Sequence, residues 1–558
     1  MDALSSEIYA YAQDNWKVTS DFTFNVGLAW DVEAPTLNKQ FGGTGVTCWS
    51  ISNATSNVFT GGAPGLLFPG DPGCSETGGP TTHYDHFAPR LGFAWSPSNG
   101  PEKLIGGREA HNFSIRGGFG VYYNRDQEEQ SLQNLGDPPS EFASNGAADI
   151  VGGSPSFANP YQDVTGNAAL SEANPFPYVR PRRGATLNWN QYTELDLSAF
   201  PPNYNVPYTY NYNLNIQRSF GGNYVAQIAY VGSVSHRLTN QSEGDQVTAA
   251  GHAACLAAEC NLAFIHIQNP QYTAQPALAP NGNPWYWSVA EQESEGSSNY
   301  NSFQASLQKA PSHGLQFTLA YTYSHALDDG SGYESGFGGS TGRIINWEPG
   351  FQNLNYGSSD FDARHRLSAG YVYTVLVAGF MRSNAILKEA LSGWGIGGVT
   401  ALQSGFPVGI NAAGSYNPGW CDVEEFFGCP DVPNINSFYV RKGNIRTAVD
   451  HQYFAKTLFS AQSNGTFGNT PRNFFSGPGY DYTNLQLSKN IHFTSDIKRY
   501  VQLRLEAFNA FNHANFAQPS SNFLSPSFGA VGSVQISADP NGDPSPGRSV
   551  QLSGKFYF

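Results

Sequence analysis

The tightest grouping of chemistry-bearing side chains in the 558-residue chain is Thr82-His83-Tyr84-Asp85-His86. Two imidazoles around one carboxylate could move a proton or seat a divalent metal. Spacing alone assigns no third metal ligand, so neither a resident metal nor a hydrolytic dyad is expected there. Arg504 and Glu506 lie two residues apart with Gln502, opposite Val501, Leu503 and Leu505. They read as an ion pair on a polar strand face. Asp362, Arg364 and Arg366 alternate with Phe361 and His365, again as structural pairs. Asp328-Asp329-Gly330 reads as a turn rather than a calcium-binding corner. Gly117-Gly118-Phe119-Gly120 lacks the Lys and helix of a phosphate loop. The expectation is therefore no catalytic residue, no cofactor and no enzyme activity. Binding has better candidates. Trp285-Tyr286-Trp287 could stack on sugar rings or flat chelates. Arg180, Arg182 and Arg183 could meet an anion.

Something must position these groups, and composition restricts what. With 29 basic and 44 acidic residues the net charge is −15, which argues against nucleic-acid binding. Charged residues make up 13% and aromatics 14%, with 61 Gly, 35 Pro and two Met, a poor recipe for helical bundles. No apolar run reaches the length of a transmembrane helix. The beginning, MDALSSEIYAYAQDNW, has no basic, apolar and small-residue progression of a secretory signal. Six cysteines fall in three local pairs, Cys48 with Cys74, Cys255 with Cys260 and Cys421 with Cys429, each in a loop-like stretch. Zinc spacing is lacking, so loop-stapling disulfides in an oxidising compartment are expected.

Period-two alternation dominates. Tyr208, Tyr210, Tyr212, Leu214 and Ile216 alternate with Thr209, Asn211, Asn213, Asn215 and Gln217. Leu315, Phe317, Leu319, Tyr321 and Tyr323 alternate in the same way with neutral residues. The polar faces are Asn, Gln, Ser and Thr rather than Lys and Glu. Strands are expected near 7–17, 21–31, 87–97, 111–124, 207–220, 223–234, 298–311, 314–327, 360–378, 392–410, 480–493, 499–512 and 546–558. Tight turns such as Val18-Thr19-Ser20-Asp21 and Pro311-Ser312-His313-Gly314 alternate with long links that carry all six cysteines. Such one-sided asymmetry predicts an all-β antiparallel transmembrane β-barrel with long extracellular loops. The last strand alternates Val550, Leu552, Gly554, Phe556 and Phe558 against polar residues, and its aromatic end resembles an assembly signal for the barrel-assembly machinery.

Eight segments in order resemble the barrel of TonB-dependent outer-membrane receptors, in particular the Oar-like group of acidobacteria. They are IYAYAQDNWKVT (8–19), AYVGS (229–233), SNYNSFQASLQK (298–309), GLQFTLAYTYSHALDD (314–329), FDARHRLSAGYVY (361–373), GWGIGG with LQSGFPV (393–408), GTFGNTPRNFFSGPGY (465–480) and RLEAFNAFNHANF (504–516). The resemblance implies the outer membrane of a Gram-negative bacterium and uptake of a scarce small nutrient, driven by the TonB system through a plug. It also implies outer-membrane lipid and lipopolysaccharide as neighbours; the latter's phosphates would suit the Arg180, Arg182 and Arg183 cluster. The runner-up is a non-transporting barrel serving as adhesin or secretion component. The family barrel has about 22 strands, so thirteen would leave about nine unaccounted for. Residues 1–558 are therefore expected to be one barrel domain, the C-terminal portion, with the signal peptide, TonB box and plug outside it.

Overall fold

In Phe22–Asn38 (β2), Phe24, Val26, Leu28 and Trp30 fall on one side, and Ala3–Lys17 (β1) pairs with them in register, Trp16 with Phe24 and Ile8 with Val32. The turn between them is closed by Thr19, whose Oγ1 accepts from the Phe22 N–H at 3.0 Å. The same logic repeats along the chain. His86–Trp95 (β3), Phe113–Tyr123 (β4), Tyr208–Phe220 (β5), Tyr224–Glu243 (β6), Tyr286–Ser312 (β7), Leu315–Asp328 (β8), His365–Thr374 (β9), Trp394–Gln403 (β10), Tyr480–His492 (β11), Tyr500–Phe508 (β12) and Ser549–Tyr557 (β13) follow in order, each pairing antiparallel with its sequence neighbour. Two short additions, Leu195–Ala199 beside β7 and Gly357–Ser358 beside β8, complete one sheet of 15 strands. The computed structural model describes the chain apart from residues 1–2, 40–45, 51–53, 99–111, 125–130, 140–153, 244–284, 333–354, 377–388, 413–431, 464–467, 494–498 and 539–543, and apart from positions 133, 135, 172–173, 175, 190–191, 193–194, 202–203, 222, 536 and 546.

Every one of the thirteen expected strands is present. Two are much longer than alternation suggested: β6 runs on to Glu243 and β7 begins at Tyr286. Crossing a bilayer takes about 9–11 residues, so most of this ribbon stands beyond the hydrocarbon. Its added residues, Glu291, Gln292, Glu293 and Glu295 among them, have no lipid to face and hence no alternation to read. Bulges at His236/Leu238 and Leu238/Asn240, with Arg237 at φ 56°, bend it there.

One face of the sheet is apolar and uncovered. Ile8, Trp16, Leu214, Ile228, Leu503, Leu505 and Leu552 all stand exposed on it. An apolar stripe of this extent calls for lipid rather than water. Near the tight turns, lysines on this face fold back to carbonyls. Lys309 Nζ donates to Ser312 O and Leu315 O, both at 2.8 Å, beneath the Tyr224 ring. Lys489 Nζ reaches Ser392 O and lies 5.5 Å from the Trp394 ring centre. Both amines thereby leave the apolar band for the interface. The β7–β8 turn has positive φ at His313 (51°) and Gly314 (77°), the geometry that matches strand twist in a two-residue hairpin. At Gly314 any Cβ would meet Thr374 O. Among the described residues no helix is long and apolar enough to cross a membrane, which says nothing about crossing by strands.

Candidate functional site at the outer rim

The strand ends opposite the tight turns form the outer rim, and the described parts of the long links fold over it. His83, Asp85 and His86 lie at the rim where β3 begins. The segment is pinned to β2 because the Trp30 indole donates to Tyr84 O at 2.8 Å. Thr81 Oγ1 sits 3.3 Å from His83 Nε2, while His83 Nδ1 faces Asp85 at 3.9 Å. The His86 ring is buried between those of His83 and Tyr123, at centroid distances of 5.2 and 4.3 Å. One ligand atom from each of the three residues lies within 4.8 Å of the others. The turn into β3 folds these three residues together, and among the described residues no further His, Cys, Asp or Glu joins them within that distance.

The loops above are packed cores. Trp49, Phe59, Leu66, Phe68, Trp189, Leu195, Leu197, Trp285, Tyr286 and Val289, drawn from two long links and from the start of β7 with the residue before it, form one apolar cluster. Trp285 is 7% and Tyr286 2% exposed, and the Tyr286 hydroxyl donates to Pro64 O at 2.6 Å. Both rings are occupied with loop packing rather than presented at a surface for stacking, because burying them is what holds these segments together. Nothing is described of the Trp287 side chain. Buried Asp71 braces the same core: its carboxylate accepts from Ser56 Oγ at 2.5 Å and from the N–H groups of Asn57 at 2.7 Å and Phe68 at 2.8 Å. Cys48 and Cys74 are joined as a disulfide that packs with Leu67. Cys255, Cys260, Cys421 and Cys429 lie outside the described residues.

The basic cluster divides. Arg183 donates to Pro69 O and stands 4.0 Å from Glu76, so it ties two links together, while Arg182 is exposed and Arg180 half-buried. Nearby, burial and the hydrogen bond with Tyr192 push the Tyr178 hydroxyl above the usual phenol range. On the wall, Arg504 Nη1 stands 3.6 Å from Glu506, and Arg504 Nε donates to Gln502 at 3.0 Å. At the end of the chain Phe556 stacks on Phe493 at 5.2 Å, and Phe558 is 94% exposed.

A second apolar core, of Val408, Ile410, Tyr453, Phe454, Phe459, Phe528 and Val531, caps the far end of the sheet. Burial raises the Tyr453 hydroxyl to about 12. Beside it lies a centre that residue types alone did not reveal. Arg472, 3% exposed, pairs with Asp328 at 2.6 Å and donates to Asp328 O at 2.8 Å and to Ser331 Oγ at 2.6 Å. Asp360 stands 3.5 Å from the same guanidinium and accepts from Asn473 at 2.6 Å. Next to it Asp362 takes the Ala326 N–H at 2.9 Å and pairs with Arg364 at 2.8 Å. Asp329 is taken up by Ser297, whose N–H and hydroxyl donate at 2.7 and 2.6 Å. The motif GTFGNTPRNFF was legible as a family segment, but its one arginine carries no periodic signal that marks it as buried.

The model of the outer membrane beta barrel domain family matches residues 2–551. The chain belongs to that family. Its place is accordingly the outer membrane, with the apolar sheet face toward lipid. A comparison with curated proteins gives no match. Among solved structures, this barrel domain is similar to the outer membrane transporter YddB from Escherichia coli, at 9% identity and TM-score 0.43, over 100% of this chain and 55% of that one. It is also similar to the siderophore receptor PirA from Acinetobacter baumannii, at 11% identity and TM-score 0.41, over 99% and 46%. The ferripyoverdine receptor of Pseudomonas aeruginosa aligns at 9% identity and TM-score 0.39, over 100% and 39%. The chain thus spans about half the length of these structures or less.

Proposed function

We propose that this barrel domain is the wall and outer cap of an Oar-like, TonB-energised receptor-transporter of a Gram-negative bacterium, which takes up a scarce small nutrient. The observation that carries the reading is the outer cap itself. Arg472 of the motif at 465–480 pairs with Asp328 of the motif at 314–329 and stands 3.5 Å from Asp360, the residue just before the motif at 361–373. Around them the described parts of the long links are folded into two apolar cores. A receptor needs such a rigid platform outside the membrane to hold a ligand before transfer. The neutral polar strand face beneath it suits a lining that lets a solute pass without trapping it.

The step performed is binding and translocation, with no covalent chemistry. Ligand is held by exposed loop side chains such as Arg182, and the energised plug belongs to the rest of the protein. Thirteen wall strands paired antiparallel in sequence order leave β1 and β13 running the same way. Within lipid a sheet edge cannot stay unpaired, so closing the barrel requires a partner for each edge strand. The exposed terminal aromatics Phe556 and Phe558 serve recognition by the assembly machinery. Growth on limiting nutrient sources tests the function. Deleting this gene and deleting the TonB homologue are expected to abolish accumulation of the same solute. Accumulation that depends on the barrel but persists without TonB would sink the energised mechanism and leave a passive pore.

A further inference from the structure

We infer that His83, Asp85 and His86 form a binding site for a borderline divalent transition-metal ion at the outer rim. Two imidazoles and a carboxylate are the donor set that such ions take in preference to calcium or magnesium. The three ligand atoms already lie within 4.8 Å of one another. Donors around a tetrahedral zinc stand ~3.4 Å apart, so the cluster needs only a modest closing movement. Asp85, whose side chain is 85% exposed, is free to make it, and His83 needs little. The imidazoles are also oriented for the task. Thr81 engages His83 Nε2 and leaves Nδ1 toward Asp85, the kind of outer partner that fixes a ligating ring. His86 is held by stacking on Tyr123.

The neighbouring strand places further carboxylates one register step from the cluster. Asp31 is the register partner of His86 across β2 and β3, and its Oδ1 is buried with no hydrogen-bond partner. On the same face of β1 and β2, Glu7 is the register partner of Glu33. Of the charged groups that act on His86, Asp85 is negative and Arg237 positive, so the preference for a divalent ion comes from the donor set itself. The fourth coordination position would be left to water or to a donor atom of an arriving ligand, which makes the rim a capture point for a metal or a metal chelate. The inference concerns binding alone and does not depend on energised uptake.

The test is zinc titration of the full-length protein folded in detergent micelles against a chromophoric chelator, comparing the parent with His83→Ala, Asp85→Asn and, as a control at the opposite end of the wall, His313→Gln. His83 and Asp85 are not in the buried core, so these variants keep the fold, which a heat-modifiability gel checks. The parent and His313→Gln are expected to bind one zinc ion that His83→Ala weakens by a factor of ten or more and Asp85→Asn by a smaller factor. Absence of zinc binding in the parent, or equal affinity in the parent and His83→Ala, would overturn the assignment.

Discussion

Replacing Arg472 with Met removes the charge at the centre of the outer knot while keeping most of the side-chain volume. Asp328, with its side chain 4% exposed, then keeps only the Ser331 hydroxyl, at 3.0 and 2.9 Å, of the side-chain partners described for it. Asp360 and the carbonyls of Asp328 and Asn355 lose the same donor. Removing one member of a buried ion pair costs about 3–5 kcal/mol, because the other charge stays buried without compensation. At 1.36 kcal/mol per decade this is a rise of about two to three and a half powers of ten in local opening. The wall strands keep their hydrogen bonds, so the opening is confined to the segments at 355–362 and 470–475. Native-state amide exchange in lipid nanodiscs reads it directly: Ser359 and Asp362, whose N–H groups are bonded to Ala326 O and Ser359 O beside the knot, are expected to exchange about a hundredfold faster or more, while β12 and β13 do not change. Asp328→Asn combined with Arg472→Met relieves the stranded charge and is expected to recover part of the protection. Unchanged exchange in Arg472→Met would refute the view that this ion pair locks the cap.

Other consequences can be measured on the same material. Changing Cys48 and Cys74 to Ser releases a closure across a sequence separation of 26, which loop entropy values at about 3.5 kcal/mol. Limited proteolysis between residues 46 and 78 is expected to accelerate in the double variant and in the reduced parent alike. Tyr453, raised to about 12 by burial, ionises in the unfolded loop before it does in the folded one. Its contribution to the second apolar core is therefore fully present below about pH 10 and is lost as pH rises toward 12. Near-ultraviolet spectra should show that core loosening across this window in the parent, and Tyr453→Phe should move the onset to higher pH.

The wall was legible in the sequence because lipid on one side and a polar lining on the other impose a period of two on every crossing strand. Beyond the bilayer that constraint ends. The extensions of β6 and β7 were therefore missed, as was the parallel pairing of Leu195–Ala199 with Tyr286–Glu291. The cap was legible only as a set of cysteines, aromatics and arginines without partners. Trp285 and Tyr286 drew attention as large rings in a loop, and the same size that suits stacking on a ligand makes them the natural core of the converging segments. Asp328 read as a turn residue because its partner, Arg472, lies 144 positions away. For His83, Asp85 and His86, local spacing identified the group, but whether three donors converge is decided by how the turn enters β3.

Alternate accessibility along β12 tests the membrane wall most directly. Single cysteines at Val501, Leu503 and Leu505 and at Gln502, Arg504 and Glu506 would carry a small fluorophore, in a background lacking the native cysteines and reconstituted in lipid. The odd positions are expected to be quenched by lipid-attached nitroxides and protected from iodide. The even positions are expected to show the reverse. Quenching without a period of two, or iodide access at Leu503 and Leu505, would contradict a wall whose apolar face meets lipid.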